Sequence, residues 1–142
     1  VRAIENTLAT GGSWRDLAKR VTGLIDPKVR GGVSYAAQRL GRTELNNAFH
    51  AVSVQRAIES PFIQYMEWHL SSSHPKSDNC NIFAEEEHVR GQRGGIYLPQ
   101  EVPSKPHPNC LCYTTPIVMG EDEFMRDFER GKFDRYLDRN GA

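Results

Sequence analysis

Two short runs in the second half of the chain hold the side chains best suited to binding a metal ion: HPKSDNC at 74–80 and PHPNCLC at 106–112. Each joins an imidazole to a thiol within a proline-containing turn, and thiolate plus imidazole is the donor set that tetrahedral zinc prefers. The spacing contains no CxxC pair. In a regular strand Cys110 and Cys112 would face opposite sides, so both could ligate one ion only where Asn109 to Leu111 still turns. The ligand set this pattern suggests is His74, Cys80, His107 and Cys110 around a structural zinc, with Asp78 and Cys112 as substitutes. Two other readings stand beside it. The cysteines could be small buried hydrophobes among ordinary turn histidines, or Cys80 could form a disulfide with Cys110 or Cys112.

A second group of chemically capable residues lies on a long periodic segment at 33–59. At 100° per residue, Val33, Ala36, Ala37, Leu40, Glu44, Asn47, Ala51, Val54 and Ile58 fall near one line, so Glu44 and Asn47 interrupt an apolar stripe. Leu45, Ala48, Phe49 and Val52 form an adjoining apolar face, as expected of a central helix. A carboxylate on such a stripe must be paired. Arg42, Thr43, Glu44 and Asn47 are therefore read as polar anchors, with Glu44 expected to be buried and bonded to the cysteine half; the alternative is a catalytic or ligand-binding carboxylate.

The elements that must position these groups follow from local signals. Ser13 with Asp16 three residues on is a capping box before an amphipathic helix through Trp14, Leu17, Ala18, Val21, Leu24 and Ile25. Asp26 and Pro27 offer another helix start, and Gly31 and Gly32 loosen the chain before the long helix. Pro61 ends that helix. Residues 62–70 alternate as a strand with Phe62, Met66, Trp68 and Leu70 on one face, and 111–118 is a second strand. Between them lie a short helix capped by Asp78 and a Gly/Pro-rich loop at 89–108, long enough that something must pin it. The tail from Glu121 carries Phe124, Met125 and Phe128, then Phe133, Tyr136 and Leu137. It reads as a helical cover for the domain or as a docking helix.

The predicted fold is mixed α+β: a helical N-terminal half, one long central helix packed on a small antiparallel β-sheet, a loop-rich His/Cys region and a helical C-terminal tail. The segments are 1–30, 31–119 and 120–142. At 142 residues the chain suits one hydrophobic core. Eighteen Lys and Arg balance eighteen Asp and Glu, so no field of the whole molecule attracts nucleic acid or anionic lipid, and any DNA contact must be local. No segment approaches the ~18 apolar residues of a membrane span and no leader pattern opens the chain, so a soluble, unsecreted protein with reduced thiols is expected. The start at Val1 suggests a processed product or part of a longer protein.

GRTELNNAFHA at 41–51, the tryptophan-bearing strand with Trp68, HPKSDNC and the closing PHPNCLC before a strand resemble, in order and spacing, the Mu F-like phage head-morphogenesis family. The resemblance covers about 33–118, and PHPNCLC is its most specific element. Cys80 departs from it, standing where many members have a CxxC. The resemblance implies a minor structural protein of the capsid interior near the portal, acting in head assembly or DNA ejection. It implies portal or major capsid protein as partners, packaged DNA as a local contact, no membrane, and residence in the virion after assembly in the host cytoplasm.

Two enzyme classes are the rivals to this non-enzymatic reading. An ADP-ribosyltransferase would use Arg42, a serine-rich strand at Ser71 to Ser73 and glutamates at Glu85 to Glu87, although about a dozen residues between the last two leave little room for the intervening strands. A metal-dependent nuclease of the His-Asn-His kind would use His69 at a strand end with His107 and Asn109 downstream. Both require a solvent-open cleft around these groups, whereas a structural protein packs them.

Overall fold

The computed structural model describes residues 2–74 and 77–141, apart from the side chain of Leu8, so Pro75 and Lys76 of the first His/Cys run lie outside the described residues. The architecture is α+β, with six helices among the described residues, one of them long, and a three-stranded antiparallel sheet. The helices are α1 (Arg2–Ala9), α2 (Trp14–Val21), α3 (Val33–Glu59), α4 (Asn79–Glu85), α5 (Glu121–Glu129) and α6 (Asp134–Asn140). The strands are β1 (Ile63–His69), β2 (Ile96–Tyr97) and β3 (Tyr113–Val118). Packing separates two compact units, one from Val1–His50 with Ser104–Leu111, the other from Ala51–Pro103 with Cys112–Ala142.

In the first unit α2 begins at the expected box: the Asp16 backbone donates to Ser13 Oγ, and the Asp16 carboxylate accepts from the Ser13 backbone at 2.8 Å. The Ser13 hydroxyl, which donates to the same carboxylate at 2.7 Å, and the Ser13 backbone amide hold the Asp16 carboxyl below its ordinary range. Leu17, Ala18 and Val21 pack with Ala37 of α3, flanked by Ala3, Ile4 and Ile25. The buried line on α3 runs through Ala37, Gly41 and Leu45, while Leu40 stays exposed. The expected stripe through Leu40 and Glu44 is thus displaced. Proximity rather than hydropathy decides it: a β-carbon at Gly41 would lie 2.7 Å from the Trp14 carbonyl, so α2 approaches α3 where the side chain is missing. Asp26 and Pro27 start no helix; the Asp26 carboxylate accepts from the Lys28 backbone at 2.8 Å, closing an Asx turn instead.

In the second unit β1 is the central strand, paired antiparallel with β2 on one side and β3 on the other. The expected pairing of the two longer strands holds, with His69 opposite Tyr113 and Trp68 opposite Thr114. Alternation places Met66 and Trp68 at 0% and 2% exposure, and Phe83 of α4 meets Trp68 edge-on at 5.2 Å. The loop at 89–108 is not without structure. It contributes β2, and Gly94 and Gly95 seat beneath the end of α4, where a β-carbon on Gly94 would lie 2.2 Å from the Glu85 carbonyl. Arg93 clamps Glu67 of β1 through its two terminal guanidinium nitrogens. A two-residue strand has no periodicity to announce it in the sequence.

The tail folds back on its own unit. Phe62 meets Phe133 at 4.9 Å, Tyr136 at 5.3 Å and Phe124 at 5.8 Å between ring centroids, and Phe133 is 1% exposed. Gln64 donates to Glu123 at 2.6 Å. Of the two sequence readings of the tail, core cover is the one the geometry carries. Among the described residues no helix is long and apolar enough to cross a membrane.

Candidate metal centre

Antiparallel register brings the end of β1 beside the start of β3, and the chemistry collects at that end of the sheet. Cys112 immediately precedes β3. His74 stands in the turn after β1, its backbone amide donating to the Ser71 carbonyl at 2.9 Å. Cys80 lies in the first turn of α4, three residues before Phe83 and so on the face that packs against Trp68. One ligand atom from each of His74, Cys80 and Cys112 lies within 4.8 Å of the others. Cys80 and Cys112 are 0% and 1% exposed.

The histidine is oriented as a ligand would be. Asn81 Oδ1 is 2.9 Å from His74 Nε2, and the same oxygen accepts from the Asp78 backbone at 3.1 Å while Asn81 Nδ2 donates to Glu85 at 3.0 Å. With the amide so fixed, Nε2 carries the proton and Nδ1 keeps its lone pair. Nδ1 faces the Cys112 sulfur at 3.7 Å. Two such atoms bound to one tetrahedral zinc, at about 2.3 Å for sulfur and about 2.0 Å for nitrogen, stand about 3.5 Å apart. A histidine whose outer nitrogen is tied to an oxygen acceptor is the arrangement usual around bound metals. The donor set and its geometry therefore fit a metal ion. No disulfide joins the three cysteines.

Of the predicted site residues, Asp78 takes a different part. Its Oδ1 accepts from the Cys80 backbone at 2.7 Å, capping α4, and lies 3.6 Å from the outer nitrogen of His74. It supports the ligand rather than standing in for one. Asn81 was not expected, although an Asp followed three residues later by an amide at a helix start is a capping-box signal. The thiol, imidazole and amide of Cys112, His74 and Asn81 are also in the order that activates a nucleophile. Cys112 itself is 1% exposed, so the arrangement lies beneath the surface.

The other predicted residues lie in the first unit. His107 Nδ1 donates to the Pro108 carbonyl at 3.1 Å, which leaves the lone pair on Nε2, and the Cys110 backbone donates to the His107 carbonyl at 3.3 Å. Thr43 donates to the Arg39 carbonyl of its own helix at 2.7 Å and accepts from the Asn109 backbone at 3.0 Å. Asn46 Nδ2 donates to the Cys110 carbonyl. Asn109 sits at φ 59°, a left-handed conformation that asparagine tolerates. The helix-to-turn tether exists, but Thr43 and Asn46 make it. Glu44 is half-buried rather than buried and, among the described residues, has no hydrogen bond or ion pair, so it is not the anchor. Asn47 is half-buried and likewise takes no part in the tether, and Arg42 rests on the Trp14 ring at 4.6 Å.

The groups named for the rival enzymes have local partners. His69 Nε2 is 2.8 Å from Thr115 Oγ1, and its ring stacks on Tyr113 at 5.0 Å. Glu85 accepts from Asn81, Glu87 accepts from the Gly91 backbone at 2.7 Å, and Ser71 Oγ accepts from the Ser73 backbone at 3.2 Å. Compared with protein-family models, curated proteins and solved structures, the chain matches none.

Proposed function

We propose that the chain is a minor structural head protein of a tailed phage, of the Mu F-like kind, with a structural zinc as its pin. The observation that carries this reading is the bond between its two most specific motifs: Thr43 and Asn46 of GRTELNN hold the backbone of Asn109 and Cys110 in PHPNC. A side-chain tether between a helix and a turn serves architecture, and in the second cluster Cys80 and Cys112 are buried beside a half-buried His74. Three donors are one short of a closed structural zinc site. The sequence assigns His107 and Cys110 to the same set, and zinc content of His107→Ala and Cys110→Ser proteins decides whether either completes it.

In this reading the protein sits in the capsid interior near the portal after assembly in the host cytoplasm, with portal or major capsid subunits as partners, and serves head assembly or DNA ejection. The test is to locate the chain in assembled particles and to purify portal subunits with and without residues 121–142. Co-purification with the portal and presence in the particle are expected. Absence from every particle overturns the assignment. So does a DNA-cleaving or ADP-ribosyl-transferring activity that is lost in the His69→Ala or Glu44→Gln protein, since it would make the chain an enzyme.

A further inference from the structure

The neutrality of the chain is the sum of two opposite parts. The unit of Val1–His50 and Ser104–Leu111 carries nine Lys and Arg against four Asp and Glu, a net charge of +5, whereas the unit of Ala51–Pro103 and Cys112–Ala142 carries nine against fourteen, −5. Within the basic unit the Trp14 indole lies against two guanidinium groups, Arg42 at 4.6 Å and Arg15 at 4.9 Å from the ring centroid. Neither arginine has a carboxylate within ion-pair distance among the described residues. Asp16, next to Arg15, is committed to the Ser13 backbone and hydroxyl at 2.8 and 2.7 Å, and Glu44, two residues after Arg42, makes no ion pair among the described residues.

Trp14 is also the wall shared by two grooves. One, of about 300 Å³, is lined by Arg15, Lys19, Ser34 and Gln38; the other, of about 330 Å³, by Arg42, Phe49 and Leu111. Phe49 is 62% exposed and Leu111 44%. Uncompensated guanidinium groups held in place on an indole, beside an open aromatic groove, are the two components by which proteins track a phosphate backbone while stacking its bases.

We infer that this face of the helical unit binds single-stranded nucleic acid, with phosphates on Arg15, Lys19 and Arg42 and an unpaired base in the groove lined by Trp14 and Phe49. A duplex keeps its base faces stacked on one another and leaves the aromatic groove nothing to receive. DNA and RNA present the same phosphate and base chemistry. The inference stands on charge and geometry within one unit and does not depend on the head-protein reading, so its failure would leave the particle assignment untouched.

The test is a fluorescence titration of the full chain with an oligothymidylate, the matching oligouridylate and a duplex of the same length, repeated over a salt series. Trp14 emission should be quenched, with buried Trp68 as the constant background. Single strands should bind at least tenfold tighter than the duplex, with a log–log salt slope of about −2 for three phosphate contacts. Phe49→Ala changes an exposed side chain and should keep the fold by circular dichroism while weakening single-strand binding about tenfold. Replacing both Arg15 and Arg42 with Gln should flatten the salt slope by about 1.4. Either sugar meets the expectation, and the preferred one names the source. No quenching at low salt, equal or tighter binding of the duplex, or a Phe49→Ala protein indistinguishable from the original overturns the inference.

Discussion

The two units solve the problem of a small core in different ways. The helical unit brings backbones together through Ala37 and Gly41 and buries small aliphatic side chains, with one Trp held at its surface by arginines. The sheet unit buries large aromatic rings, Trp68 against Phe83 and Phe62 against Phe133, and gathers thiols and an imidazole at one end of the sheet. One is basic and the other acidic by the same amount. A net charge of zero over a chain therefore says nothing about either surface, because the charges that matter to a partner lie within about a Debye length of it.

The sharpest way to break the contrast is Phe133→Ala, which removes the ring on which the tail and Phe62 meet. About 3–5 kcal/mol of stability should be lost by denaturant titration, and exchange protection should fall first in β1 and β3. Uniform loss in the helical unit would show that the aromatic cluster is not local to the sheet. Zinc comes next. The protein prepared with zinc should hold metal that the Cys80→Ser and Cys112→Ser variants lose, and a hundredfold excess of zinc over its Kd should add about 2.7 kcal/mol. An unchanged melting temperature after chelation would leave the cluster as simple packing.

In the helical unit, Gly41→Ala should cost about 1–3 kcal/mol despite the better helix propensity of alanine, because the new methyl meets the Trp14 backbone rather than a movable side chain. A neutral or stabilising result would mean that the helices part at little cost. The smallest effects separate the units by pH. The Asp16 carboxyl is held low by Ser13, so its contribution is present above the ordinary value of 3.8 and is lost as pH falls below it. Burial pushes Tyr97 up to about 12, with Glu86 adding to the shift. Its contribution is therefore present below pH 10 and is lost as pH rises toward 12. Acid should loosen α2 and alkali the sheet, each visible by residue-resolved exchange.

Elements with a period or a punctuation mark were legible in the sequence. The capping box at Ser13, the cap at Asp78, the alternation around Met66 and Trp68 and the pairing of the two longer strands all follow from local rules. The site was legible as a neighbourhood: Cys80 and Cys112 do meet, with His74 beside them. What could not be read depends on close approach. Gly41 chose the buried face of α3 by what it lacks, and β2 is too short to show alternation. Thr43 and Asn46 rather than Glu44 tie the helix to the turn, because a hydroxyl and an amide can each meet a backbone partner without the desolvation cost of a carboxylate.

The strand order has a consequence for biosynthesis. β1 is made first, yet it lies in the middle of the sheet, and its partners begin only at Ile96 and Tyr113. At about 5–20 residues per second, the ribosome needs some 2–9 s to deliver the second partner after the first strand is complete. Until β2 is made both edges of β1 and the apolar face with Met66 and Trp68 are open to other nascent chains, and until β3 is made one edge still is. The yield of native protein is then set by how quickly translation closes that window and by chaperones that cover it, and slower synthesis through residues 70–118 should favour the competing associations.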